Sequence, residues 1–319
     1  MADAGSDHYN NSHRAFLQAF LARSVLTFEE AQPILAAILT AHEGRPTLPA
    51  DITTADFQSY LSALNTALSP LDLEIRSTLS QHADRTRVYA LVNATSDPQT
   101  QLATTHSADE IAFVKRVLDA MFETNNTASA EVMAVAGMQA LRLCKPAGAR
   151  QSGANGQTLG GASGGLTMGQ AEAVLAGMVE EGWFEKSRAG YYSLSPRALM
   201  ELRGWLVETY NEPGEEGESE DEEGGERERI KFCQACREIV TMGQRCSNRS
   251  CKCRLHDVCT QRFFRDQPAR KCPLCKADWT GKDFVGERAA KGGDQGRRST
   301  TSGPSRRTTM DVEESDEEG

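Results

Sequence analysis

The first hundred residues carry apolar side chains mainly at intervals of three and four, the period of an amphipathic helix. This period predicts three helices, at 13–26, 27–39 and 54–68. Thr27 and Glu30 have the spacing of a capping box, which marks the start of the second helix. Strict alternation then replaces the helical period and predicts two paired strands, at 71–76 and 88–92. Three helices followed by a hairpin is the order of a winged-helix domain, and we place one at 11–100.

The same order recurs in the second hundred residues. Ser107 and Thr167 have the position of capping residues before apolar-periodic segments, and a further such segment lies between them. The predicted helices are at 107–121, 128–143 and 167–179, and the predicted strands at 183–186 and 191–194. Pro196 starts a closing helix that runs to 207, since proline is tolerated at the first helical position. A second winged-helix domain is therefore predicted at 105–210.

Three stretches have compositions that cannot bury enough apolar surface to offset the entropy of ordering. They are a Gly-rich insertion at 146–165, an acidic linker at 211–229 and the tail at 285–319. Residues 212–229 contain ten acidic and two basic side chains, and so carry much of the net charge of -10. We interpret the linker as a solvated, self-repelling spacer rather than a docking segment.

A winged-helix domain serves either DNA binding or protein docking. A helix that reads DNA needs cations facing phosphate, but residues 168–181 contain no Lys or Arg and three Glu. The predicted wing adds only Lys186 and Arg188. The sequence therefore favours protein docking, with DNA contacted at most weakly through the wing.

Cysteine usage is strongly local. Eight of the nine cysteines lie between 233 and 275, whereas a secreted disulfide scaffold of this length would spread them along the chain. Cys144 lies apart, at a predicted helix end, and is interpreted as a packed residue. The N-terminus lacks the basic start and apolar core of a signal peptide, and no run of about 18 apolar residues occurs. We expect a soluble intracellular protein without membrane association.

Eight residues form the candidate zinc set: Cys233, Cys236, Cys246, Cys251, His256, Cys259, Cys272 and Cys275. Two residues between cysteines form a turn that aims both thiolates at one ion, and this spacing occurs twice, together with a matching His-x2-Cys. Eight ligands fill two tetrahedral sites, so two Zn²⁺ ions are the predicted cofactors. Closed sites leave no position for an activated water, which makes the metal structural rather than hydrolytic.

Spacing leaves two questions open. Cys253 lies two residues from Cys251 and is the alternative fourth ligand. We choose Cys251, because four intervening residues give His256 more room than two to reach its own site. Spacing also does not say which residues share an ion. Zinc matters to the module in either case, since about 50 residues cannot build a sufficient core and structural zinc contributes about 10–16 kcal/mol per site in model peptides.

Three segments of the chain resemble one known family. They are HRAFLQAFLARSVL at 13–26, HSADEIAFVKRVLDAMF at 106–122 and GYYSLSPRALMELRGWLVETY at 190–210. With a variant RING order of four cysteines, one histidine and three cysteines, they are similar to the non-SMC element 1 subunits of the SMC5-6 chromosome complex. The resemblance covers 13–280. It implies winged helices that grip a MAGE-type partner, a RING-like end with ubiquitin ligase activity, and a nuclear role in DNA repair by homologous recombination.

The RING resemblance also implies how the ligands are shared. In RING domains the first, second, fifth and sixth ligands hold one ion, here Cys233, Cys236, His256 and Cys259. The second ion would be held by Cys246, Cys251, Cys272 and Cys275. PHD modules have the same ligand order, but they place an aromatic residue two before the seventh ligand, where this chain has Arg270. The predicted fold class is thus α+β, with tandem winged-helix domains, a cross-braced two-zinc RING-like domain at 230–284, and a disordered acidic linker and tail.

A RING ligase supplies no nucleophile; it positions a charged ubiquitin-conjugating enzyme. The resemblance implies docking positions at Ala235, at Phe263 or Phe264, at Pro273 and at Lys276. Ala235 departs from the family, in which a larger aliphatic residue is usual, so we expect ligase activity that depends on a partner. A non-catalytic adaptor, whose modules only dock other subunits, is the alternative that Ala235 keeps open.

Overall fold

The structure, a computed structural model, describes residues 9–82, 85–94, 105–146, 165–211, 228–267 and 269–290. Most of the predicted Gly-rich insertion, acidic linker and tail lies outside these ranges, as do residues 83 and 84 between the first two predicted strands. None of the helices in the described ranges has both the length and the hydrophobicity needed to cross a bilayer.

The first domain has the predicted winged-helix order. Its helices are α1 (Asn11–Ala22), α2 (Phe28–Glu43) and α3 (Thr54–Leu68), and its strands are β1 (Leu26–Thr27), β2 (Leu73–Leu79) and β3 (Arg87–Asn93). Short 3-10 turns at Pro49–Asp51 and Ser69–Leu71 flank α3. The sheet is antiparallel in the order β1-β3-β2, and β2 pairs with β3 over seven residues.

Local signals set the start of α2. The Thr27 hydroxyl oxygen accepts from the Glu30 N–H at 3.2 Å, and the Glu30 carboxylate accepts from the Thr27 N–H at 2.8 Å, so the predicted capping box is confirmed. The prediction that the first helix continues to Leu26 is wrong. The helix ends earlier because Leu26 pairs with Tyr89 in the sheet and is buried there.

The second domain repeats this order. Its helices are α4 (Ala108–Asp119), α5 (Gly137–Arg142), α6 (Met168–Glu180), α7 (Pro196–Glu201) and α8 (Arg203–Asn211). Its strands are β4 (Val135–Ala136), β5 (Phe184–Lys186) and β6 (Tyr191–Leu194), antiparallel in the order β4-β6-β5. A π turn at Ala120–Thr124 extends α4. The predicted caps Ser107 and Thr167 are confirmed, since each side chain accepts from a backbone N–H of its helix.

Two helix predictions in this domain are wrong in extent. The helix predicted over 128–143 is confined to α5, and the residues before β4 are irregular. The backbone of Glu131 pairs instead with Asn126 and with Val285 of the C-terminal module. The predicted closing helix is split at Leu202 into α7 and α8. In the first case, contacts with residues far along the chain override the local helical pattern.

The C-terminal module contains short elements only. They are β7 (Gly243–Arg245), β8 (Arg254–Leu255), α9 (Asp257–Phe263) and β9 (Phe284–Val285), and the sheet order is β8-β7-β9. The prediction that the disordered tail begins at 285 is wrong for residues 285–290, which the structure describes. Val285 pairs with Gly243 at the edge of the sheet, and its side chain is buried in the apolar core.

The C-terminal module packs against both preceding domains. Its buried apolar residues are continuous with the core of the second domain, whereas the first domain has its own core. Gln81 of the first domain also reaches the module. Its side-chain oxygen accepts from the N–H groups of Thr241 and Met242, at 3.1 and 2.9 Å, and its amide donates to the Ile239 carbonyl at 3.0 Å. The three parts are therefore held together by packing as well as by the chain.

Candidate metal centre

The first cluster brings together Cys233, Cys236, His256 and Cys259, whose ligand atoms all lie within 4.8 Å of one another. His256 is the residue immediately before α9, and Cys259 lies within that helix, so one short helix supplies two of the four groups. The Cys236 sulfur lies 3.3 Å from His256 Nδ1, and the Cys259 sulfur lies 3.9 Å from the same atom.

The second cluster brings together Cys246, Cys251, Cys272 and Cys275, again within 4.8 Å. The sulfurs of Cys246 and Cys275 are 3.4 Å apart, and those of Cys251 and Cys272 are 3.7 Å apart. The two clusters interleave along the chain: the first takes the first and third pairs of ligands, and the second takes the second and fourth, which is the order of a cross-brace.

Both Cys-x2-Cys turns have the same backbone. The residue after the second cysteine adopts a left-handed conformation in each, Arg237 with φ 64° and Lys276 with φ 63°. Its N–H donates to the carbonyl of the first cysteine, at 2.9 Å from Arg237 to Cys233 and 3.0 Å from Lys276 to Cys272. The turn closes the chain on itself, so both sulfurs of each pair point to one place.

The imidazole of His256 is oriented for metal binding through Nδ1. Its Nε2 lies 3.1 Å from the Ile239 carbonyl oxygen, which can only accept a hydrogen bond. Nε2 therefore keeps its proton, and Nδ1, which faces the sulfurs of the cluster, is the ring nitrogen that would bind a metal ion. In zinc sites, a hydrogen bond of this kind, from the ring nitrogen that does not bind the metal to a backbone carbonyl, fixes the orientation of the histidine ring.

The chemistry of both donor sets fits zinc. Burial opposes a positive charge on His256, but contact with the sulfurs of Cys233 and Cys236 outweighs it and raises the pKa of the ring to about 10. The sulfurs thus favour positive charge at Nδ1, which a metal ion would supply in place of a proton. Burial raises the pKa of Cys246 to about 12 in the second cluster, where sulfurs crowd together. A divalent ion supplies the missing positive charge and favours the thiolates. Three sulfurs with one nitrogen, and four sulfurs, are donor sets of closed structural zinc sites.

A family model described as "Nse1 non-SMC component of SMC5-6 complex" matches residues 13–202, more than half of the chain. The chain belongs to the Nse1 family. A second model, described as a RING-like domain, matches residues 233–275, the segment that carries both clusters. The module is therefore RING-like, and its two interleaved clusters are consistent with two zinc ions.

Relatives of the Nse1 family match this chain over most of its length. The "Non-structural maintenance of chromosomes element 1 homolog" of Xenopus laevis is 21% identical over 274 residues, which are 86% of this chain and 84% of the relative. The human protein of the same name is 21% identical over 84% of this chain and 83% of its own. A chain of a solved "Nse1-Nse3-Nse4 complex" shares the fold with a TM-score of 0.64, at 21% identity, over 86% of this chain and 99% of that one.

The structure places Cys251, and not Cys253, with the second cluster of this Nse1-family chain. Cys253 is nevertheless fully buried. Burial, together with the nearby sulfur of Cys272, raises the pKa of Cys253 well above its ordinary value, so it stays a neutral thiol. Cys144 is buried in the core of the second domain, as a packed residue would be.

Four of the five predicted docking positions of the RING-like module reach solvent. Ala235 and Lys276 are exposed, and Phe263 and Pro273 are half-buried. Phe264 is only 4% exposed, because its ring packs against Trp279 at 5.5 Å between centroids. The expectation that Phe264 is available for docking is therefore wrong, and Phe263 remains.

Sequence reasoning missed Leu274, which lies between Pro273 and Cys275 and is 50% exposed. The ligand pattern could have predicted the exposure of Leu274. When a Cys-x2-Cys turn directs both sulfurs inward, the residues between them face outward, so an apolar residue there is left on the surface. Leu274 and Pro273 together place apolar surface on this turn.

Proposed function

We propose that this chain is the RING-type ubiquitin ligase subunit of an SMC5-6 complex and acts in the nucleus in DNA repair by homologous recombination. The observation that carries the proposal is the interleaved pair of clusters within a segment that matches a RING-like domain. Membership of the Nse1 family supports the assignment to this complex and hence to the nucleus.

We further propose the eight clustered residues as zinc ligands: Cys233, Cys236, His256 and Cys259 for one ion, and Cys246, Cys251, Cys272 and Cys275 for the other. Zinc would supply folding free energy rather than a reactive water, because four protein ligands close each site. The chain then contributes a surface and no nucleophile. A substrate lysine amine attacks the thioester of the bound conjugating enzyme, an isopeptide bond forms, and the enzyme's cysteine leaves as the thiolate.

The docking surface that we propose for the conjugating enzyme consists of Ala235, Phe263, Pro273, Leu274 and Lys276. The exposure of Leu274 supports it, since a half-exposed leucine gains free energy when a partner covers it. Ala235 is the weak position of this surface, because a methyl group offers little area to bury. Activity is therefore expected to be low for the isolated chain and higher when a partner adds contacts.

The first test enlarges this weak position. Ala235→Ile should accelerate ubiquitin discharge from a charged conjugating enzyme by about 5- to 30-fold, because the added side chain contributes about 1–2 kcal/mol only when it is buried in the complex. Ala269→Ile is the matched control: the same substitution at another exposed alanine of the module should leave the rate unchanged. Equal rates for Ala235→Ile and wild type, with zinc content intact, would remove Ala235 from the surface.

A second test concerns charge. Lys276→Glu should slow discharge severalfold, because it places a negative charge against the acidic partner surface that the RING resemblance implies. Position 276 has a left-handed backbone, which costs glutamate about as much as lysine, so the turn and the zinc content should not change. Lys282→Glu, an equal change of charge at another exposed lysine of the module, is the control. A rate that falls equally in both variants would indicate a general effect of net charge.

A non-catalytic adaptor is the second candidate function, and the small side chain at Ala235 is the observation that favours it. An adaptor should bind its partners normally and show no discharge with any of several conjugating enzymes, and neither Ala235→Ile nor Lys276→Glu should alter that result.

We also propose a MAGE-type subunit as the partner of the winged-helix domains. The shared fold with a chain of an Nse1-Nse3-Nse4 complex supports this, as does exposed apolar surface at Met138 and Met168 of the second domain. Met168→Glu in the whole chain should weaken binding of such a partner, measured by calorimetry, and leave zinc content unchanged. DNA is expected to bind at most weakly, since the wing offers only Lys186 and Arg188 and the Lys186 ammonium already lies over the Tyr192 ring at 5.2 Å.

A further inference from the structure

Glu131 of the second domain is a fully buried carboxylate, with 0% of its side chain exposed. Three cations of the RING-like module surround it. Arg254 donates two hydrogen bonds to it, from Nε to Oε2 at 2.5 Å and from Nη2 to Oε1 at 2.6 Å. Lys231 forms a short ion pair with Oε1, and Nη1 of Arg245 lies 3.7 Å from the same oxygen. All three cations are themselves buried.

Each of these cations lies next to a proposed zinc ligand in the chain. Lys231 lies two residues before Cys233, Arg245 immediately before Cys246, and Arg254 two residues before His256. One carboxylate thus contacts three segments that carry ligands, and these segments serve both clusters.

Arg254 connects Glu131 to the second cluster through the backbone. Its Nη1 donates to the carbonyl oxygens of Cys251 and Cys253, each at 2.7 Å. Its own carbonyl accepts from the N–H of Gln234, which lies between the cysteines of the first turn. Arg254 therefore forms hydrogen bonds with the loops that carry the ligands of both clusters.

The loop that carries Glu131 is built into the RING-like module. The Glu131 carbonyl accepts from the Gly286 N–H at 2.8 Å, and Arg245 donates to the Ala128 carbonyl at 2.9 Å. Asn126 donates to the Arg229 carbonyl at 2.8 Å. These contacts hold the carboxylate against the module, which is the reason the segment does not form the helix that its sequence predicts.

The carboxylate is ionised in this position. Burial by itself raises the pKa of a carboxyl group, but the hydrogen bond and charge of Arg254, and then the charge of Lys231, lower the pKa of Glu131 to about 2. A buried carboxylate held by several hydrogen-bonded cations is strongly destabilising when one side is removed, because the cations left behind are uncompensated.

We propose that Glu131 is a positioning residue for both zinc clusters, which the second winged-helix domain supplies to the RING-like module. The module then holds its zinc firmly only while this carboxylate contacts the three cations beside the ligands. This inference rests on the two zinc clusters and not on ubiquitin transfer, so it stands or falls separately from the ligase proposal. A simple docking contact is the competing explanation, in which the carboxylate holds the domains together without affecting the metal.

The experiment uses the whole chain loaded with two zinc ions and a chromogenic zinc chelator in excess. Glu131→Gln keeps every ligand and should start with both ions, but zinc should pass to the chelator roughly 10- to 100-fold faster, the effect typical of losing groups that orient metal ligands. Glu123→Gln is the matched control, since it removes the same charge from an exposed position of the same domain. Its release rate should equal that of the wild type.

Asn126→Ala separates positioning from docking, because it removes a contact of the same loop without touching the three cations. We expect slow release from this variant. Release as fast as that from Glu131→Gln, or wild-type release from Glu131→Gln, would overturn the proposal. Cobalt-loaded Glu131→Gln should also show altered absorption bands from its sulfur-bound metal, a signature that loss of docking alone would not change.

If Glu131→Gln does not accumulate as folded protein, zinc release from Lys231→Met tests the proposal instead. That variant keeps the bidentate contact between Glu131 and Arg254 and should release zinc at a rate between those of the wild type and a chain with no carboxylate contact. A wild-type rate from Lys231→Met would contradict the role assigned to this cluster of charges.

Discussion

Replacing Cys272 by Ser in the whole chain should lower the zinc content from two ions to one and unfold the C-terminal part of the RING-like module. Three sulfurs would remain around an ion that needs four, and structural zinc contributes about 10–16 kcal/mol of folding free energy per site in model peptides. Trp279 reports the loss, because its buried ring packs against Phe264 and its indole N–H donates to Gln244 at 3.0 Å. Metal analysis and tryptophan fluorescence measure the two effects.

Cys253→Ala is the control for this variant. It removes a buried sulfur from the same module, but the structure does not place Cys253 with either cluster. Both ions should therefore remain, with at most a modest loss of stability from the small cavity. Retention of two ions by Cys272→Ser, or loss of one by Cys253→Ala, would contradict the ligand assignment.

Replacing Phe57 by Ala should reduce the unfolding free energy of the first domain by about 3–5 kcal/mol. The Phe57 ring is 1% exposed and lies edge-on to three other rings: those of Phe28 at 5.4 Å, Tyr89 at 4.8 Å and Phe16 at 6.1 Å between centroids. A cavity at this place removes contacts between α1, α2, α3 and β3 at once. Denaturant unfolding, followed by far-ultraviolet circular dichroism, measures the change.

Leu71→Ala is the matched control for Phe57→Ala. Leu71 belongs to the same domain and is a large apolar residue, but its side chain is 67% exposed, so its loss should change stability by less than about 0.5 kcal/mol. Similar losses from both substitutions would mean that the ring cluster is not the core of this domain.

The fold was predictable where short-range signals decide it. The caps at Thr27, Ser107 and Thr167 depend on contacts three residues apart, and each is confirmed. Residues 128–134 show the opposite case. Their pattern predicts a helix, but Glu131 accepts hydrogen bonds from Arg254, which lies more than a hundred residues further along the chain. Local periodicity cannot reveal so distant a contact.

The candidate site divides in the same way. The spacing of cysteines and histidine selects eight candidate ligands, because ligand pairs need a turn of fixed length. Spacing favoured Cys251 over Cys253, and the structure places Cys251 in the second cluster. Spacing could not pair the ligands, because pairing depends on how distant turns meet. The sequence likewise could not predict that Phe264 is buried behind Trp279. Phe263 and Phe264 are adjacent and chemically identical, so only their packing in the fold shows which one is buried.

Ubiquitin discharge from a charged conjugating enzyme onto free lysine is the most direct test of the proposed function. The zinc-loaded chain, bound to its MAGE-type partner, should accelerate discharge from at least one of several conjugating enzymes. Leu274→Asp should abolish that acceleration while both zinc ions and the partner stay bound, because the exposed side chain is covered only in the complex. No acceleration by the wild-type complex with any of the enzymes, or full activity of Leu274→Asp, would contradict the proposal.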